Sequence, residues 1–324
     1  MQQRRHRALF GPDVTFLGVD RADLEDPATY EGADIVVIGA PFDGGTTYRA
    51  GARFGPRAIR TTDYLTQVPY RPHLAFDGLD PFGVLRVVDV GDVLMPPGDI
   101  ETSIQNLERA VAAVAAAGAI PLVLGGDHTI ALPDVTGVAR HHGFGRVSVI
   151  HFDAHADTGD NDFGLLYGHG TPMRRLIDSG AARGDRFLQV GLRGYWPDPP
   201  VFDWMRQQGF RWFEMTEVVQ RGLDACLDEA FAIANDDCDG VFLSIDVDVV
   251  DPGMAPGTGT PEPGGLTTRQ LLDAVRRCAT ELNVVGLDVV EVAPAYDGPG
   301  EVTAMLANRV VLEALTGIAS RRAN

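Results

Sequence analysis

The sequence has few basic residues, and all of them are arginine. The 27 arginines face 45 aspartates and glutamates, which gives a formal net charge of −18 at pH 7. Because binding of nucleic-acid phosphates needs a concentrated basic surface, this composition argues against a nucleic-acid partner. The acidic surface mildly favours a small cationic ligand instead.

Cysteine and long apolar runs are also scarce. Cys226, Cys238 and Cys278 are odd in number and lack the paired spacing of a disulfide framework or a zinc site, which predicts a reducing, cytoplasmic location. No apolar run approaches the roughly 20 residues of a membrane helix. The N-terminal segment MQQRRHRALFGPDV reaches Gly and Pro before any apolar stretch of signal-peptide length. We therefore predict neither export nor membrane insertion.

No stretch of the sequence has the composition of a domain linker. The 324 residues contain no Ser/Pro/Gly-rich segment or charge block that would divide them, and 45% of them are hydrophobic. A chain of this length and composition can bury a large core. The sequence therefore predicts a single domain that spans residues 1–324.

Short runs rich in Val, Ile and Leu alternate with helical patterns along the chain. The helical patterns include residues 103–117, which Gly118 ends, a helix capped by Thr267 and Gln270, and residues 303–320. Near-continuous apolar strands separated by helices indicate a three-layer α/β/α fold with a mostly parallel central sheet. The predicted strands are residues 33–39, 85–90, 120–124, 147–152, 187–191, 241–245 and 284–290.

Charged and polar side chains follow several of these strands. Ligands of an open parallel sheet gather at the carboxyl ends of its strands. In an extended segment, residues two apart point to the same side, so Asp246 and Asp248 can face one point. The same holds for Asp153, His155 and Asp157. The candidate ligands are four carboxylates and two imidazoles: His128, Asp153, His155, Asp157, Asp246 and Asp248.

This ligand set predicts a site for two metal ions. Each residue taken alone is more often a helix cap or a core residue, but six of them at strand ends favour a metal centre. Carboxylates and imidazoles without thiolate suit manganese, with nickel, cobalt, iron or zinc as alternatives. Two ions about 3.5–4 Å apart lower the pKa of a bridging water from 15.7 toward ~7. The sequence therefore predicts a hydrolytic enzyme.

These motifs resemble those of the ureohydrolase family, which includes arginase, agmatinase and the guanidino-acid amidinohydrolases. The resemblance implies an arginase-like fold and a homo-oligomer, either a trimer or a hexamer. It covers nearly the whole chain, in the segments PFDGGTTYRAGARFGPRAIR (41–60), GGDHT (125–129), HFDAHADT (151–158), GHGTPMRR (168–175), SIDVDVVDPGMAPGTGTPEPGG (244–265) and GLDVVEVAPAYD (286–297).

The resemblance also implies two Mn²⁺ ions per subunit, with Ni²⁺ or Co²⁺ as alternatives. Asp153 and Asp246 would bridge the two ions. One ion would be held by His128, Asp153, Asp157 and Asp246, and the other by Asp153, His155, Asp246 and Asp248.

Further residues receive roles in the implied reaction, which releases urea and a protonated amine after attack of a metal-bridging hydroxide. Asp157 would accept a hydrogen bond from that nucleophile, and Glu291 would pair with the substrate guanidinium. His169 would shuttle protons, a role that suits its ordinary pKa of about 6.5. Thr260 is a candidate for orienting the guanidino group, with a plain turn residue as the equal alternative.

The substrate is less tightly defined. Arginases carry Asn where this chain has Gly159, and Asp where it has Gly194, and both differences argue against arginine. Agmatine is the first choice. Guanidinobutyrate, guanidinopropionate and guanidine are alternatives, ahead of the arginase and formimidoylglutamase reactions. Tyr195 and Trp196 would shape the pocket around the substrate tail by cation–π contact, with loop packing as the equal alternative.

Two readings from other classes remain. One is a metal-dependent deacetylase or formimino hydrolase on a similar scaffold, and the deacetylase would leave Glu291 and the complete DxHxD stretch without a purpose. A non-catalytic sensor of metal or polyamine would not need His169 beside a full ligand set.

Overall fold

The computed structural model describes residues 14–65 and 70–323. These residues form a sheet whose strands are β1 (Asp20–Arg21), β2 (Ile35–Ala40), β3 (Val87–Asp92), β4 (Ile120–Gly125), β5 (Val147–Phe152), β6 (Phe187–Leu192), β7 (Arg211–Glu214), β8 (Gly240–Asp246) and β9 (Val284–Val290). Their spatial order is β1-β3-β2-β4-β9-β8-β5-β6-β7. Each of the described neighbouring pairs is parallel.

Helices cover both faces of this sheet. They are α1 (Gly55–Thr61), α2 (Pro81–Val84), α3 (Ile100–Ala116), α4 (Ala131–His142), α5 (Pro172–Ser179), α6 (Pro199–Gln208), α7 (Met215–Arg221), α8 (Leu223–Ala234), α9 (Thr268–Glu281) and α10 (Val302–Ala323). One apolar core contains side chains of α8, α9 and α10, and a second contains side chains of α3, α4 and α5. A sheet between two such cores is the predicted three-layer α/β/α fold, which is confirmed.

The seven predicted strands correspond to β2 to β6, β8 and β9. The apolar pattern did not predict β1 and β7, which are the two edges of the sheet. Edge strands are short and carry charged residues, which prevents pairing with other chains. The two residues of β1 are both exposed, and β7 contains Arg211 and Glu214. Neither strand therefore produces an apolar run that a sequence pattern could reveal.

The predicted helices are present with small shifts at their ends. The capping box at α9 is confirmed, because the Thr267 side chain accepts from the Gln270 backbone N–H and Gln270 bonds back to Thr267. Helix α3 begins earlier than expected, because the carboxylate of Asp99 accepts from the Thr102 N–H and caps it at Ile100.

Helix α10 corrects one expectation from the sequence. Among the described residues it is the one helix whose length and composition suit a membrane span, although the sequence analysis found no such stretch. Arg309 and Glu313 interrupt its apolar residues, so the helix contains no continuous apolar run of the length that a membrane span requires. In the structure 78% of the apolar window is buried. Helix α10 therefore packs as a core helix, and Asn308 within it donates to the Ile59 carbonyl.

Two predictions have no structural test in this fold. The reading of the N-terminal segment concerns residues 1–14, of which 1–13 lie outside the described part of the chain. The single-domain organisation over residues 1–324 stays a prediction, and the sheet described above extends from residue 20 to residue 290.

Candidate metal centre

The candidate metal ligands and Glu291 lie at the carboxyl ends of four strands that are neighbours in the middle of the sheet. In spatial order these strands are β4, β9, β8 and β5. His128 follows β4, Glu291 follows β9, Asp246 ends β8 and Asp153 follows β5. Parallel strands bring their carboxyl ends to one edge, so residues more than 100 positions apart meet there.

His128 is the centre of the first group of ligands. Its Nδ1 atom lies 3.0 Å from Asp153 Oδ2, 3.0 Å from Asp157 Oδ2 and 3.3 Å from Asp246 Oδ2. This nitrogen is buried and has no partner with hydrogen-bond geometry among the described residues. Three carboxylate oxygens around an unpaired imidazole nitrogen form the donor set that a divalent cation requires.

The other ring nitrogen of His128 explains why Nδ1 is free to bind a metal. Its Nε2 atom lies 2.9 Å from Ser244 Oγ, and that hydroxyl donates to Asp288 Oδ1 at 2.9 Å. Because the hydroxyl proton goes to Asp288, the oxygen of Ser244 accepts from Nε2–H of the neutral ring. This bond leaves the lone pair of Nδ1 for a ligand.

A second group of ligands surrounds His155. Its Nδ1 atom lies 3.1 Å from Asp248 Oδ2 and 3.4 Å from Asp153 Oδ1. The ligand atoms of Asp153, His155 and Asp248 all lie within 4.8 Å of one another, as do those of His128, His151, Asp153 and Asp157. Asp153 belongs to both groups, which supports its predicted bridging role. Asp246 is outside both of these 4.8 Å sets, and it contacts the site by its 3.3 Å approach to His128 Nδ1 and by accepting from the Asp248 backbone N–H at 2.8 Å.

Burial and mutual repulsion shift the pKa values of these groups. Burial and the charge of Asp153 raise the pKa of Asp157 to about 7. Burial and the charges of Asp248 and Asp153 raise the pKa of Asp246 well above its ordinary value. Burial alone would lower the pKa of His128, but the carboxylates of Asp153, Asp157 and Asp246 outweigh it and raise it. Without cations, the site therefore retains protons at neutral pH.

Glu291 lies beside this cluster with one carboxylate oxygen free. Its Oε1 atom accepts from the His128 backbone N–H at 3.0 Å and lies 2.9 Å from His169 Nδ1. Its Oε2 atom is buried and has no hydrogen-bond partner in the described chain. A buried anionic oxygen without a partner is costly, so this atom is suited to a cationic ligand.

His169 is held between Glu291 and Thr47. Its Nε2 atom lies 2.7 Å from Thr47 Oγ1 and accepts from the Thr47 backbone N–H at 3.1 Å. Burial lowers the pKa of His169, but the charges of Glu291, Asp127 and Asp157 outweigh it and raise the pKa to about 9. The loop of Thr47 therefore contributes to the site, and the sequence analysis did not assign it a role.

Two of the site residues have left-handed backbone conformations. Asp157 has φ 52° and Glu291 has φ 63°. This region costs an L-residue roughly 1–2 kcal/mol, and such strain concentrates at functional sites. The Glu291 backbone N–H donates to the Gly126 carbonyl at 2.8 Å, which holds the strained residue against β4.

The remaining predicted residues differ in their placement. Thr260 Oγ1 donates to Asp248 Oδ2 at 3.4 Å, so it contacts a candidate ligand. The Trp196 ring lies 6.4 Å from the His155 ring and lines the site. Tyr195 is 100% exposed and is not brought to the site. Tyr195 and Trp196 are adjacent in the sequence, yet only Trp196 packs near a candidate ligand.

His151 is a further residue of the site that was not predicted, although its spacing in the sequence offered a signal. His151 lies two residues before Asp153 on β5 and therefore points to the same side. Its Nε2 atom lies 2.8 Å from Asp153 Oδ2. Burial lowers the pKa of His151 from its ordinary value.

Comparison with known proteins places this chain in a family. The model of the Arginase family matches residues 33–317. The chain belongs to the arginase family. It is 36% identical over 330 residues to the guanidinobutyrase of Pseudomonas aeruginosa, covering 99% of this chain and 100% of that protein. It is 41% identical over 287 residues to the mitochondrial agmatinase of Gallus gallus, covering 88% of this chain and 81% of that protein.

Solved structures agree with this assignment. The proclavaminate amidinohydrolase of Streptomyces clavuligerus superposes with a TM-score of 0.85 at 36% identity, over 97% of this chain and 100% of that one. The formiminoglutamase of Trypanosoma cruzi with Mn²⁺ has a TM-score of 0.80 at 28% identity, over 93% of this chain and 100% of that one. The predicted ureohydrolase resemblance and arginase-like fold are confirmed, and this arginase-family protein is a hydrolase of guanidino C–N bonds.

Substitution of Asp246 tests its assignment to both metal ions. We expect Asp246→Ala to reduce bound manganese from two ions per subunit to fewer than one, because the resemblance assigns this carboxylate to each ion. Metal content is measured by mass spectrometry after gel filtration, with circular dichroism to verify folding. Asp236→Ala, which removes an exposed partner of Arg186, is the matched control. Two ions per subunit in Asp246→Ala would refute the bridging role.

The pKa shifts predict how metal affinity depends on pH. The pKa values of Asp157, His128 and His155 are all raised, so the metal-free site holds protons between pH 6 and pH 8. Manganese has to displace these protons, and its affinity should therefore rise with pH over that range. Calorimetric titration at pH 6, 7 and 8 in two buffers measures both affinity and proton release. Equal affinities at the three pH values, with no proton release, would contradict this account.

Proposed function

We propose that this protein is a binuclear manganese amidinohydrolase that cleaves agmatine to putrescine and urea. The observation that carries the proposal is the convergence of the His128 and His155 groups on Asp153, directly beside the unpaired Oε2 atom of Glu291. The first feature suits two cations and the second suits a guanidinium. Their combination in one buried site matches hydrolysis of a guanidino group.

Manganese is the proposed metal, with nickel or cobalt as alternatives. The donor set consists of carboxylates and imidazoles, without thiolate, which suits manganese. The structural relative from Trypanosoma cruzi that carries Mn²⁺ supports this choice. When bound, the metal pair supplies a water molecule of lowered pKa as the nucleophile.

Glu291 is proposed to bind and orient the substrate. A planar guanidinium and a carboxylate form charge-assisted hydrogen bonds, and the buried Oε2 atom offers an acceptor for one of them. The rigid attachment of Glu291 to His128 and Gly126 holds the guanidinium carbon in a fixed place relative to the metal ligands. Such positioning matters because resonance deactivates that carbon.

His169 is proposed to move protons for the leaving amine. The neighbouring carboxylates raise the pKa of His169 to about 9, which favours uptake of a proton by the ring, and bound divalent ions would lower that pKa toward neutrality. The ring lies beside Glu291, and its other nitrogen faces the exposed loop residue Thr47. It can therefore give a proton to the departing amine at the site and regain one from the solvent side. Asp157 is proposed to accept a hydrogen bond from the nucleophile.

The surroundings of Gly159 and Gly194 argue against arginine as the substrate. A Cβ atom at position 159 would lie 2.9 Å from the Gly170 carbonyl and 3.2 Å from Trp196 Cζ2. A Cβ atom at position 194 would lie 2.8 Å from Glu262 Cδ, at a left-handed φ. The Asn and Asp that arginases carry there would therefore force neighbours to shift. Trp196, in contrast, offers an aromatic surface to a cationic tail such as that of agmatine.

A guanidino acid is the second candidate substrate. The specific observation in its favour is the guanidinobutyrase of Pseudomonas aeruginosa, which aligns with this chain over its whole length. The non-catalytic sensor is less well supported, because the ligand groups are complete and His169 is in place beside Glu291. A cytoplasmic location is supported by three unpaired cysteines, and a homo-oligomer, trimer or hexamer, by family resemblance. We expect a small-molecule substrate and neither a nucleic-acid nor a membrane partner.

A substrate panel tests the proposal. Manganese-loaded protein is incubated with agmatine, 4-guanidinobutyrate, 3-guanidinopropionate, arginine and guanidine, and urea is quantified. We expect urea from agmatine at a kcat/KM at least ten times that for arginine. Glu291→Gln keeps the shape of the side chain but removes its charge, and it should lose at least 100-fold in kcat/KM while retaining manganese. A lack of urea from every compound would contradict the proposed enzymatic activity. A higher kcat/KM for 4-guanidinobutyrate than for agmatine would identify guanidinobutyrate as the better substrate.

A further inference from the structure

His151 is a fully buried histidine within the first ligand group whose role the reaction does not explain. One of its ring nitrogens belongs to the set of ligand atoms that lie within 4.8 Å of one another around His128. Its ring packs edge-on against the His128 ring, with 4.9 Å between centroids. Two roles are chemically open to such a residue: a direct metal ligand, or a hydrogen-bond donor to a ligand.

Gln189 decides between these roles. It lies opposite His151 in the register of β5 and β6. Its side-chain Nε2 atom lies 2.7 Å from the Ala156 carbonyl and 2.9 Å from His151 Nδ1. A carbonyl can only accept, so the amide nitrogen and not the amide oxygen faces Ala156. The same nitrogen then donates to Nδ1 of His151.

The tautomer of His151 follows from this bond. Because Nδ1 accepts a hydrogen bond, the neutral ring carries its proton on Nε2. That nitrogen lies 2.8 Å from Asp153 Oδ2, so it donates to the carboxylate. A nitrogen that carries a proton has no lone pair for a metal ion. His151 is therefore a donor to a ligand and not a ligand itself.

Asp153 is the residue on which this hydrogen bond acts. Its Oδ1 atom accepts from the His155 backbone N–H at 2.6 Å, and its Oδ2 atom accepts from His151. With one donor on each oxygen, the plane of the carboxylate is fixed. Oδ2 then faces His128 Nδ1 at 3.0 Å, and Oδ1 faces His155 Nδ1 at 3.4 Å.

We propose that His151 is a positioning residue that, with its tautomer set by Gln189, aims the Asp153 carboxylate at both metal positions. This inference rests on the metal-binding part of the proposed function. Hydrogen-bond partners of metal ligands fix ligand orientation, and their loss typically weakens metal binding about 10–100-fold. We expect a loss of that size when the donor at position 151 is removed.

The test compares two substitutions in chelator-stripped full-length protein titrated with manganese. His151→Phe keeps an aromatic ring but has no donor, and His151→Gln places an amide N–H where Nε2 lies. We expect the manganese dissociation constant to be about 10–100-fold larger than wild type in His151→Phe and within about threefold of wild type in His151→Gln. Both variants should still bind two ions per subunit at saturation. Dissociation constants come from the electron paramagnetic resonance signal of free Mn²⁺, and saturation stoichiometry from mass spectrometry.

Two results would overturn the inference. Wild-type affinity in His151→Phe would show that the hydrogen bond to Asp153 has no effect on the metals. Loss of one ion at saturation in both variants would identify His151 as a direct ligand. The readout is metal binding and needs no turnover, so wild-type protein that binds two ions but releases no urea would contradict only the proposed function.

A second variant keeps the inference testable if His151→Phe does not fold. Gln189→Met has a similar shape but no donor, so it releases the constraint on the His151 tautomer and leaves every candidate ligand in place. We expect weaker manganese binding, with two ions still bound at saturation. An unchanged dissociation constant in a folded Gln189→Met protein would contradict the assignment of the tautomer.

Discussion

The structure depends on a concentration of negative charge that the protein alone does not neutralise. Asp153, Asp157, Asp246 and Asp248 are buried at one edge of the sheet, and the pKa values of three of them rise because burial and their neighbours disfavour the charged form. Uncompensated buried charges are among the most unfavourable arrangements in a folded protein. Two divalent cations would compensate these charges, which makes metal binding part of the stability of the active fold.

The parallel sheet makes this concentration possible. It brings the carboxyl ends of β4, β9, β8 and β5 together, although they come from chain segments more than 160 residues apart. The buried strands provide a rigid base, and the ligands follow directly on their last residues. Asp157 and Glu291 both have left-handed conformations at this edge, and strained conformations of this kind persist only where the surrounding structure holds them. The same edge thus supplies the metal ligands and the acceptor for a guanidinium.

Much of this arrangement could be predicted from the sequence, because it depends on which residues directly follow one another along the chain. The central strands are apolar runs, and Asp153, Asp246 and His128 follow such runs directly. The edge strands β1 and β7 could not be found this way, because exposed edges are short and polar. The partners of His169 and His151 were hidden for a different reason. The position of Thr47 depends on the path of a loop, and the position of Gln189 depends on the register of β5 and β6. Neither feature produces a periodic pattern in a single sequence. Adjacency in the sequence was also a poor guide to the placement of Tyr195. Its neighbour Trp196 faces the site, whereas Tyr195 faces solvent.

The central claim is that Asp153 joins two metal positions, one beside His128 and one beside His155. A crystal of manganese-loaded protein, with diffraction recorded on both sides of the manganese absorption edge, measures this directly. We expect two anomalous peaks per subunit, about 3.5–4 Å apart, with Asp153 between them. A single peak would contradict the bridging role of Asp153. So would peaks located away from the six candidate ligands.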